Sequence, residues 1–227
     1  MPDIAFLDMP DDRRIAYRLR PGGAPTLVFF PGYASDMEGA KALALDSFAE
    51  RRGIGMLRLD YSGTGSSSGD FEDGTLEKWL EESLAAVDRL TDGPLIPIGS
   101  SMGGWIALHL ASRRPKRVQA LVGLAVAPDF TDWGLERGEN GINPAFRESG
   151  QRLLLLGGEI AVDCPVRLVH GKADGDVPLE IAFRTMRALR SSDVQLAVIK
   201  GGGHRLSEPR DIDAILRTVA GLLEPPE

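Results

Sequence analysis

Two periodicities of apolar and polar residues alternate along the chain. Short runs of β-branched and other apolar residues predict strands, several of them apolar on both faces, as in a parallel sheet covered by helices. Longer runs with apolar residues at helical spacing lie between them and predict helices. The strands are expected at 26–30, 55–59, 95–98, 118–127, 165–169 and 194–199, and the helices at 37–52, 75–90, 102–112, 179–189 and 212–223.

Two further runs, 4–7 and 13–19, flank the turn residues Met9-Pro10-Asp11-Asp12 and predict an antiparallel hairpin. Together the runs predict an α/β fold with a mostly parallel eight-stranded sheet flanked by helices. Pro97 is unusual for a central strand of such a sheet, because it has no N–H to donate to the ladder.

The segment 128–163 interrupts this alternation. It contains no strand pattern, and its clearest helical pattern lies at 144–156. An excursion of this size inside a compact domain is more often functional, such as a lid, than idle. We therefore expect a single domain over residues 1–227 with a lid inserted at about 128–163.

The composition narrows the possible functions and cellular location of a protein with this fold. The 227 residues are 43% hydrophobic and 26% charged, with a net charge of −7 that disfavours binding to nucleic acid or anionic membranes. Cys164 is the only cysteine, which rules out an intrachain disulfide and favours a reducing compartment. No run approaches the length of a membrane span, and the N-terminus resembles neither a secretory signal nor a transit peptide. These features predict a cytoplasmic protein with no transmembrane segment.

The segment Gly99-Ser100-Ser101-Met102-Gly103 joins a predicted strand to a predicted helix. In such a turn, glycines two residues to either side of a central residue let it adopt a strained conformation with its side chain exposed. Both of these positions are glycine for Ser101, whereas Ser100 has Ile98 and Met102 there. Ser101 is therefore the candidate nucleophile.

A serine hydroxyl needs a base, and three histidines are available. His109 lies within a predicted helix and is expected to point away from Ser101, and His170 ends a strand where a structural role is favoured. His204 follows the last strand, at the same sheet edge as Ser101, where open α/β sheets place their sites. His204 is the candidate base.

The acid that orients the base is expected in a loop that also follows a strand. Asp174 is preferred, because the chain order Ser101, Asp174, His204 is that of a Ser-Asp-His triad on such a sheet. Asp176 and Asp129 remain alternatives, and Asp176 also suits the N-cap of the following helix. 

Two backbone N–H groups are expected to stabilise an oxyanion, those of Met102 and of Tyr33 in the loop Pro31-Gly32-Tyr33. The segment 60–69 is rich in glycine and follows a strand, but its G-x-G-x-x-x-G spacing and the distance to the next helix argue against a dinucleotide site.

Several of these motifs together resemble one branch of the α/β-hydrolases, the branch that contains the mitochondrial palmitoyl-protein thioesterase, also called mycophenolic acid acyl-glucuronide esterase, and its bacterial homologues. The resemblance covers about 27–223 and rests on Pro31-Gly32-Tyr33, Leu59-Asp60-Tyr61-Ser62-Gly63-Thr64-Gly65-Ser66-Ser67-Ser68-Gly69, Lys78-Trp79, Gly99-Ser100-Ser101-Met102-Gly103-Gly104-Trp105, Cys164-Pro165-Val166-Arg167-Leu168-Val169-His170-Gly171 and Gly203-His204-Arg205.

The resemblance implies an α/β-hydrolase fold, a triad of Ser101, Asp174 and His204, and hydrolysis of acyl esters or thioesters without a metal or cofactor. The expected partner is a small-molecule or acylated substrate, and the protein is expected to be a monomer or a homodimer. The lid, shorter than in the animal relatives, puts substrate preference in doubt. Two alternatives remain, a serine peptidase of the same fold and a non-catalytic ligand-binding protein.

Overall fold

One eight-stranded sheet forms the centre of the molecule, with strand order β1-β2-β4-β3-β5-β6-β7-β8. The computed structural model describes residues 1–134 and 142–224. The hairpin strand β2 pairs antiparallel with β1 and with β4, and all pairs from β4 onward are parallel. The strands are β1 Ala5–Asp8, β2 Arg14–Arg20, β3 Gly23–Phe30, β4 Ile54–Leu59, β5 Leu95–Ser100, β6 Leu121–Leu124, β7 Val166–Gly171 and β8 Val194–Ile199. The predicted sheet and its class are confirmed.

Helices cover both faces of this sheet. Apolar residues of α1 and α7 pack on one face, and those of α2, α3 and α6 pack on the other. Each fully buried large apolar side chain contributes about 1.5–3 kcal/mol of transfer free energy. The helices are α1 Ala40–Arg52, α2 Leu76–Leu90, α3 Met102–Arg113, α4 Phe130–Trp133, α5 Pro144–Gln151, α6 Leu179–Ala188 and α7 Pro209–Leu223. Among the described residues, no helix is both long and apolar enough to cross a membrane.

The strand predicted at 118–127 is wrong at both ends, since β6 spans only Leu121–Leu124. Val118 makes an isolated bridge to Leu95, and Ala125 has a φ of 46°, which ends the strand. Beyond it the chain bends toward the end of β5, where Ala127 N–H donates to Ser101 O at 3.1 Å. An apolar run shows that a segment is buried, but it does not show where the segment leaves the sheet.

Pro97 lies in a central strand without loss of a ladder bond. The backbone N–H and C=O of Leu95 bond to the segment that leads into β6. The backbone of Pro97, two residues further along the strand, faces the same neighbour. The ladder between β5 and β6 begins only at Ile98, so the N–H that proline lacks falls where the two strands are not yet paired.

The described part of the excursion between β6 and β7 comprises residues 128–134 and 142–163. It contains two helices, α4 and α5. The helix predicted at 144–156 is shorter than expected, because α5 ends at Gln151 and the chain then turns. Residues 135–141 of the predicted lid lie outside the described residues.

Candidate active site

Ser101 occupies the turn between β5 and α3 with φ 54° and ψ −120°. A Cβ at Gly99 would lie 2.2 Å from Gly103 O, and one at Gly103 would lie 2.1 Å from Phe30 O. Both distances are shorter than any real Cβ contact, so this turn closes only with glycine at both positions. A left-handed φ costs a serine about 1–3 kcal/mol. The surrounding structure supports it, since Ser101 N–H donates to Leu124 O at 2.8 Å.

Ser101 Oγ lies 3.1 Å from His204 Nε2, and His204 Nδ1 lies 2.9 Å from Asp174 Oδ2. Because Asp174 accepts the Nδ1–H, the neutral imidazole offers its Nε2 lone pair to the serine hydroxyl. The His204 side chain is 22% exposed and the Asp174 side chain 1%, so the acid is buried behind the base. This arrangement can move a proton from a serine hydroxyl to an imidazole and stabilise the charge that results.

The two oxygens of Asp174 have different partners. Oδ1 accepts the N–H groups of Asp176 at 2.9 Å and Val177 at 2.8 Å, while Oδ2 accepts from His204. Burial raises the pKa of Asp174, but the bonds from His204, Val177 and Asp176 together outweigh burial and hold the pKa below its ordinary value. The carboxylate is therefore ionised and fixed at neutral pH.

The other two histidines lie away from the hydroxyl of Ser101 and have backbone partners. His109 Nε2 lies 2.9 Å from Leu153 O, and burial lowers the pKa of His109 to about 4. His170 Nε2 lies 3.0 Å from Val177 O and 3.5 Å from Asp174 Oδ2, and burial also lowers its pKa. Both are neutral donors at neutral pH, and His170 supports the loop that carries Asp174.

The alternative acids hold different positions. Asp176 is exposed and is not the N-cap suggested by its spacing, because α6 starts at Leu179 with Pro178 as its N-cap. The buried Asp129 uses its carboxylate on the N–H groups of Leu155 and Leu156, at 2.8 and 2.7 Å. It thereby ties these two leucines to the start of the 128–163 segment.

The loop of residues 31–37, named the oxyanion loop below, lies against the serine. A Cβ at Gly32 would be 3.4 Å from Ser101 Cβ and 4.0 Å from its Oγ. The ring of Tyr33 packs edge-on against Phe71 and Phe146, with centroids 5.1 and 5.0 Å apart. Met102 begins α3 directly after Ser101, where helix N–H groups have no intrahelical partner.

A cleft of about 640 Å³ opens beside Ser101 and His204. Two cationic residues line it, Lys41 from the first turn of α1 and Arg205, and neither was predicted from the sequence as a site residue. Lys41 Nζ donates to Arg205 O, and burial, followed by the nearby Arg205 charge, lowers the pKa of Lys41 to about 8. Asp36, Asp176 and three serines besides Ser101 also line the cleft, so its described wall is mostly polar.

Within the described residues, Asp174, Asp176 and His204 could each offer one ligand atom to a metal ion, with these atoms within 4.8 Å of one another. Asp174 and His204 already bond to each other. The group therefore matches an acid–base pair with an exposed carboxylate nearby, and we assign no metal to it.

Comparison with known proteins matches the α/β hydrolase fold family over residues 25–155. The chain is 36% identical to "Palmitoyl-protein thioesterase ABHD10, mitochondrial" of Homo sapiens over 245 residues, which cover 97% of this chain and 80% of that protein. The solved structure of alpha/beta hydrolase domain-containing protein 10 from mouse is similar, with a TM-score of 0.93 and 33% identity, covering 97% of this chain and 98% of that one. A putative hydrolase from Agrobacterium vitis S4 has a TM-score of 0.89 and 36% identity, covering 98% of this chain and 99% of that one.

The resemblance inferred from the sequence motifs is confirmed by these matches, and so is the prediction of a hydrolase with this fold. The cytoplasmic location stays a prediction, because the similar curated proteins are named mitochondrial.

Proposed function

The chain belongs to the α/β-hydrolase family, and we propose that it is a serine hydrolase that cleaves carboxylic ester or thioester bonds through an acyl-enzyme. One observation carries this proposal, the continuous hydrogen-bonded series from Ser101 Oγ through His204 to Asp174. A nucleophile, a base and an orienting acid in this order are the minimum that acyl transfer from serine requires.

In the first half of the reaction, His204 Nε2 takes the proton of Ser101 Oγ as the oxygen attacks the acyl carbonyl. Asp174 keeps the Nδ1–H tautomer in place and stabilises the imidazolium. When the tetrahedral intermediate collapses, its bond to the leaving alcohol or thiol breaks and His204 returns the proton to that group. The acyl group stays on Ser101.

In the second half, a water molecule replaces the alcohol or thiol. His204 accepts a proton from the water as its oxygen attacks the acyl-serine carbonyl, and then donates that proton to Ser101 Oγ as the acid product leaves. The chain's own residues and one water molecule complete this cycle.

The negative oxygen of each tetrahedral intermediate needs donors that are already in position. We assign these to the N–H groups of Tyr33 and Met102. The proximity of Gly32 to Ser101 supports the first, and the start of α3 at Met102 supports the second. Removal of one such donor typically lowers kcat by about 100- to 1000-fold.

We further propose that the segment 128–163 forms a lid within a single domain and shapes the acyl side of the site. The rings of Phe130 and Phe146, from α4 and α5, pack against Tyr33 with centroids 5.9 and 5.0 Å away. Trp105 Nε1 donates to Leu153 O at 3.0 Å, which ties the segment to α3. An acyl chain placed beside these rings would meet apolar surface, while the polar cleft would receive the leaving group.

The names of similar proteins suggest the substrate class. Several mammalian relatives are named palmitoyl-protein thioesterases, so acyl thioesters join oxygen esters in the proposed range. No described contact favours a peptide substrate.

Labelling with a fluorophosphonate probe tests the nucleophile, and a panel of p-nitrophenyl esters and acyl thioesters of graded chain length tests the substrate class. We expect the wild-type protein to label and Ser101→Ala to lose both labelling and turnover, while Ser100→Ala keeps labelling. Labelling that survives Ser101→Ala, or its absence from the wild type, would refute the assignment. Turnover of peptides without any ester would favour a peptidase, and binding without turnover would favour a non-catalytic protein.

A further inference from the structure

The glycine-rich segment after β4, residues 60–69, lies beside the oxyanion loop. Tyr61 Oη donates to Pro31 O at 3.1 Å, at the start of that loop. At its other end, Met37 N–H donates to Asp60 Oδ1 at 2.7 Å. Two adjacent residues thus hold both ends of the loop that carries the proposed Tyr33 donor.

Arg58, two residues before Asp60 on β4, binds Met37 from the other side. Its Nη1 donates to Met37 O at 2.5 Å, and the arginine is fully buried. Met37 therefore has its N–H and its carbonyl oxygen bound by side chains from the same strand end. A buried backbone group fixed in this way cannot shift without leaving a polar atom unsatisfied, which costs about 1–3 kcal/mol.

The glycines of the segment explain how Asp60 is held in turn. Asp60 Oδ2 accepts the N–H of Ser66 at 2.9 Å, and Asp60 O accepts the hydroxyl of Ser67 at 2.8 Å. A Cβ at Gly65, where φ is 50°, would lie 2.1 Å from Asp60 Oδ2. Only glycine lets the segment close over this carboxylate. Tyr61 is fixed as well, since its ring stacks on Trp79 at 5.2 Å.

We propose that Asp60 and Tyr61 are positioning residues for the reaction, because they hold the oxyanion loop where its Tyr33 N–H can reach the tetrahedral intermediate. The segment 60–69 thus serves the site without touching the substrate. This inference rests on the proposed function, and in particular on the assignment of Tyr33 as a donor.

A substrate pair can separate this role from general damage. In a thiono ester the carbonyl oxygen is replaced by sulfur, and sulfur accepts hydrogen bonds weakly, so the oxyanion donors contribute little to its hydrolysis. Matched p-nitrophenyl oxo and thiono esters with the same acyl chain release the same leaving group, p-nitrophenol, so one absorbance assay follows both. The ratio of their kcat/KM values measures how well the donors are placed, while the absolute rates measure the whole site.

The variants are Asp60→Asn and Tyr61→Phe. The amide of asparagine must point its NH₂ at the N–H of either Met37 or Ser66, so one of the two bonds is lost. We expect Asp60→Asn to lower kcat/KM for the oxo ester about 100-fold and Tyr61→Phe to lower it about tenfold, since displacements near 1 Å have effects of this size. The thiono ester should lose less than about threefold in both, so the ratio falls.

Tyr17→Phe is the matched control, because it removes the hydroxyl of a half-buried tyrosine that takes no part in these bonds. It should leave both rates and their ratio unchanged. Asp174→Asn is the second control and should lower both rates in proportion. If Asp60→Asn unfolds, as thermal unfolding would show, Tyr61→Phe still decides the question.

An oxo/thiono ratio that stays unchanged in folded variants of an active enzyme would overturn this inference and leave the proposed function intact. This holds whether both rates are retained or both fall by the same factor, since an equal fall would indicate damage to the triad. A wild-type protein that fails to label with fluorophosphonate would refute the proposed function and, with it, this inference.

Discussion

Replacement of Asp174 by asparagine changes one atom of the site, and the structure dictates which way the new side chain turns. Asp174 Oδ1 accepts two backbone N–H groups at 2.8 and 2.9 Å. An NH₂ group placed there would face two fixed donors, so the amide oxygen takes this position. The NH₂ group then occupies the place of Oδ2, which lies 2.9 Å from His204 Nδ1.

The consequence is a tautomer change in His204. A neutral imidazole facing an NH₂ donor presents its Nδ1 lone pair and carries its proton on Nε2, where it can no longer take the proton of Ser101. In serine hydrolases of another fold this exchange lowers kcat by about 10⁴-fold with the geometry intact, which corresponds to about 5 kcal/mol of transition-state stabilisation. We expect a loss of that order here, with little change in Tm because the two backbone bonds are kept.

Steady-state hydrolysis of a p-nitrophenyl ester near pH 8 measures the loss, with Asp176→Asn and Asp129→Asn as matched controls. Asp176→Asn should stay within about threefold of the wild type, because Asp176 is exposed. Asp129→Asn should lower Tm because a hydrogen bond within the 128–163 segment is lost, while kcat stays within about tenfold. A kcat above a tenth of the wild-type value in Asp174→Asn, or an equal loss in either control, would contradict the proposed role of Asp174.

Three further predictions concern stability and folding. Ser101→Gly should abolish turnover yet raise Tm by a few degrees, because glycine adopts φ 54° without strain. The strain relieved, about 1–3 kcal/mol, exceeds the free-energy cost of the greater conformational entropy that glycine gives the unfolded chain. A lower Tm would contradict the strain. Gly103→Ala should fail to fold or lose several kcal/mol, since its Cβ would meet Phe30 O at 2.1 Å, whereas Gly158→Ala, with open space around it, should fold normally in the same thermal-unfolding assay. Burial lowers the pKa of His109 to about 4. Between pH 6.5 and 4 this histidine is therefore protonated in the unfolded chain but neutral in the folded protein, and the free energy of unfolding should fall by up to about 3 kcal/mol across that window. His109→Gln, which cannot titrate, should show a smaller fall in Tm from pH 7 to 4.5, and an equal fall would exclude His109 as the cause.

The place of the candidate nucleophile in the fold could be predicted from sequence because its signal is local. Gly99 and Gly103 flank Ser101 at the only spacing that the strand-to-helix turn tolerates, and the apolar runs on either side showed that a strand precedes the turn and a helix follows it. Both facts lie within about twenty residues of chain. The α/β class was predictable for the same reason, since it depends on the order of short segments.

The candidate acid was harder to choose, because three aspartates follow strands and their partners lie far away in sequence. The structure places Asp174, and neither Asp176 nor Asp129, against His204, thirty residues downstream. The roles of Arg58 and Asp60 were not visible at all. Their partner Met37 lies more than twenty residues upstream. The glycines near Asp60 suggested only a dinucleotide site, and their spacing argued against it.

Three aspartates with buried side chains at this edge of the sheet show how a loop anchor differs from the proposed triad acid. Asp60 and Asp129 give both carboxylate oxygens to backbone N–H groups, and burial raises the pKa of each despite those bonds. Asp174 gives one oxygen to the backbone and the other to His204, and here the partners outweigh burial and lower the pKa. An anchor needs only acceptor atoms at fixed positions, whereas an acid that stabilises an imidazolium must also remain charged next to it. The division of oxygens between backbone and imidazole, with the resulting direction of the pKa, therefore separates the two kinds of aspartate where sequence position does not.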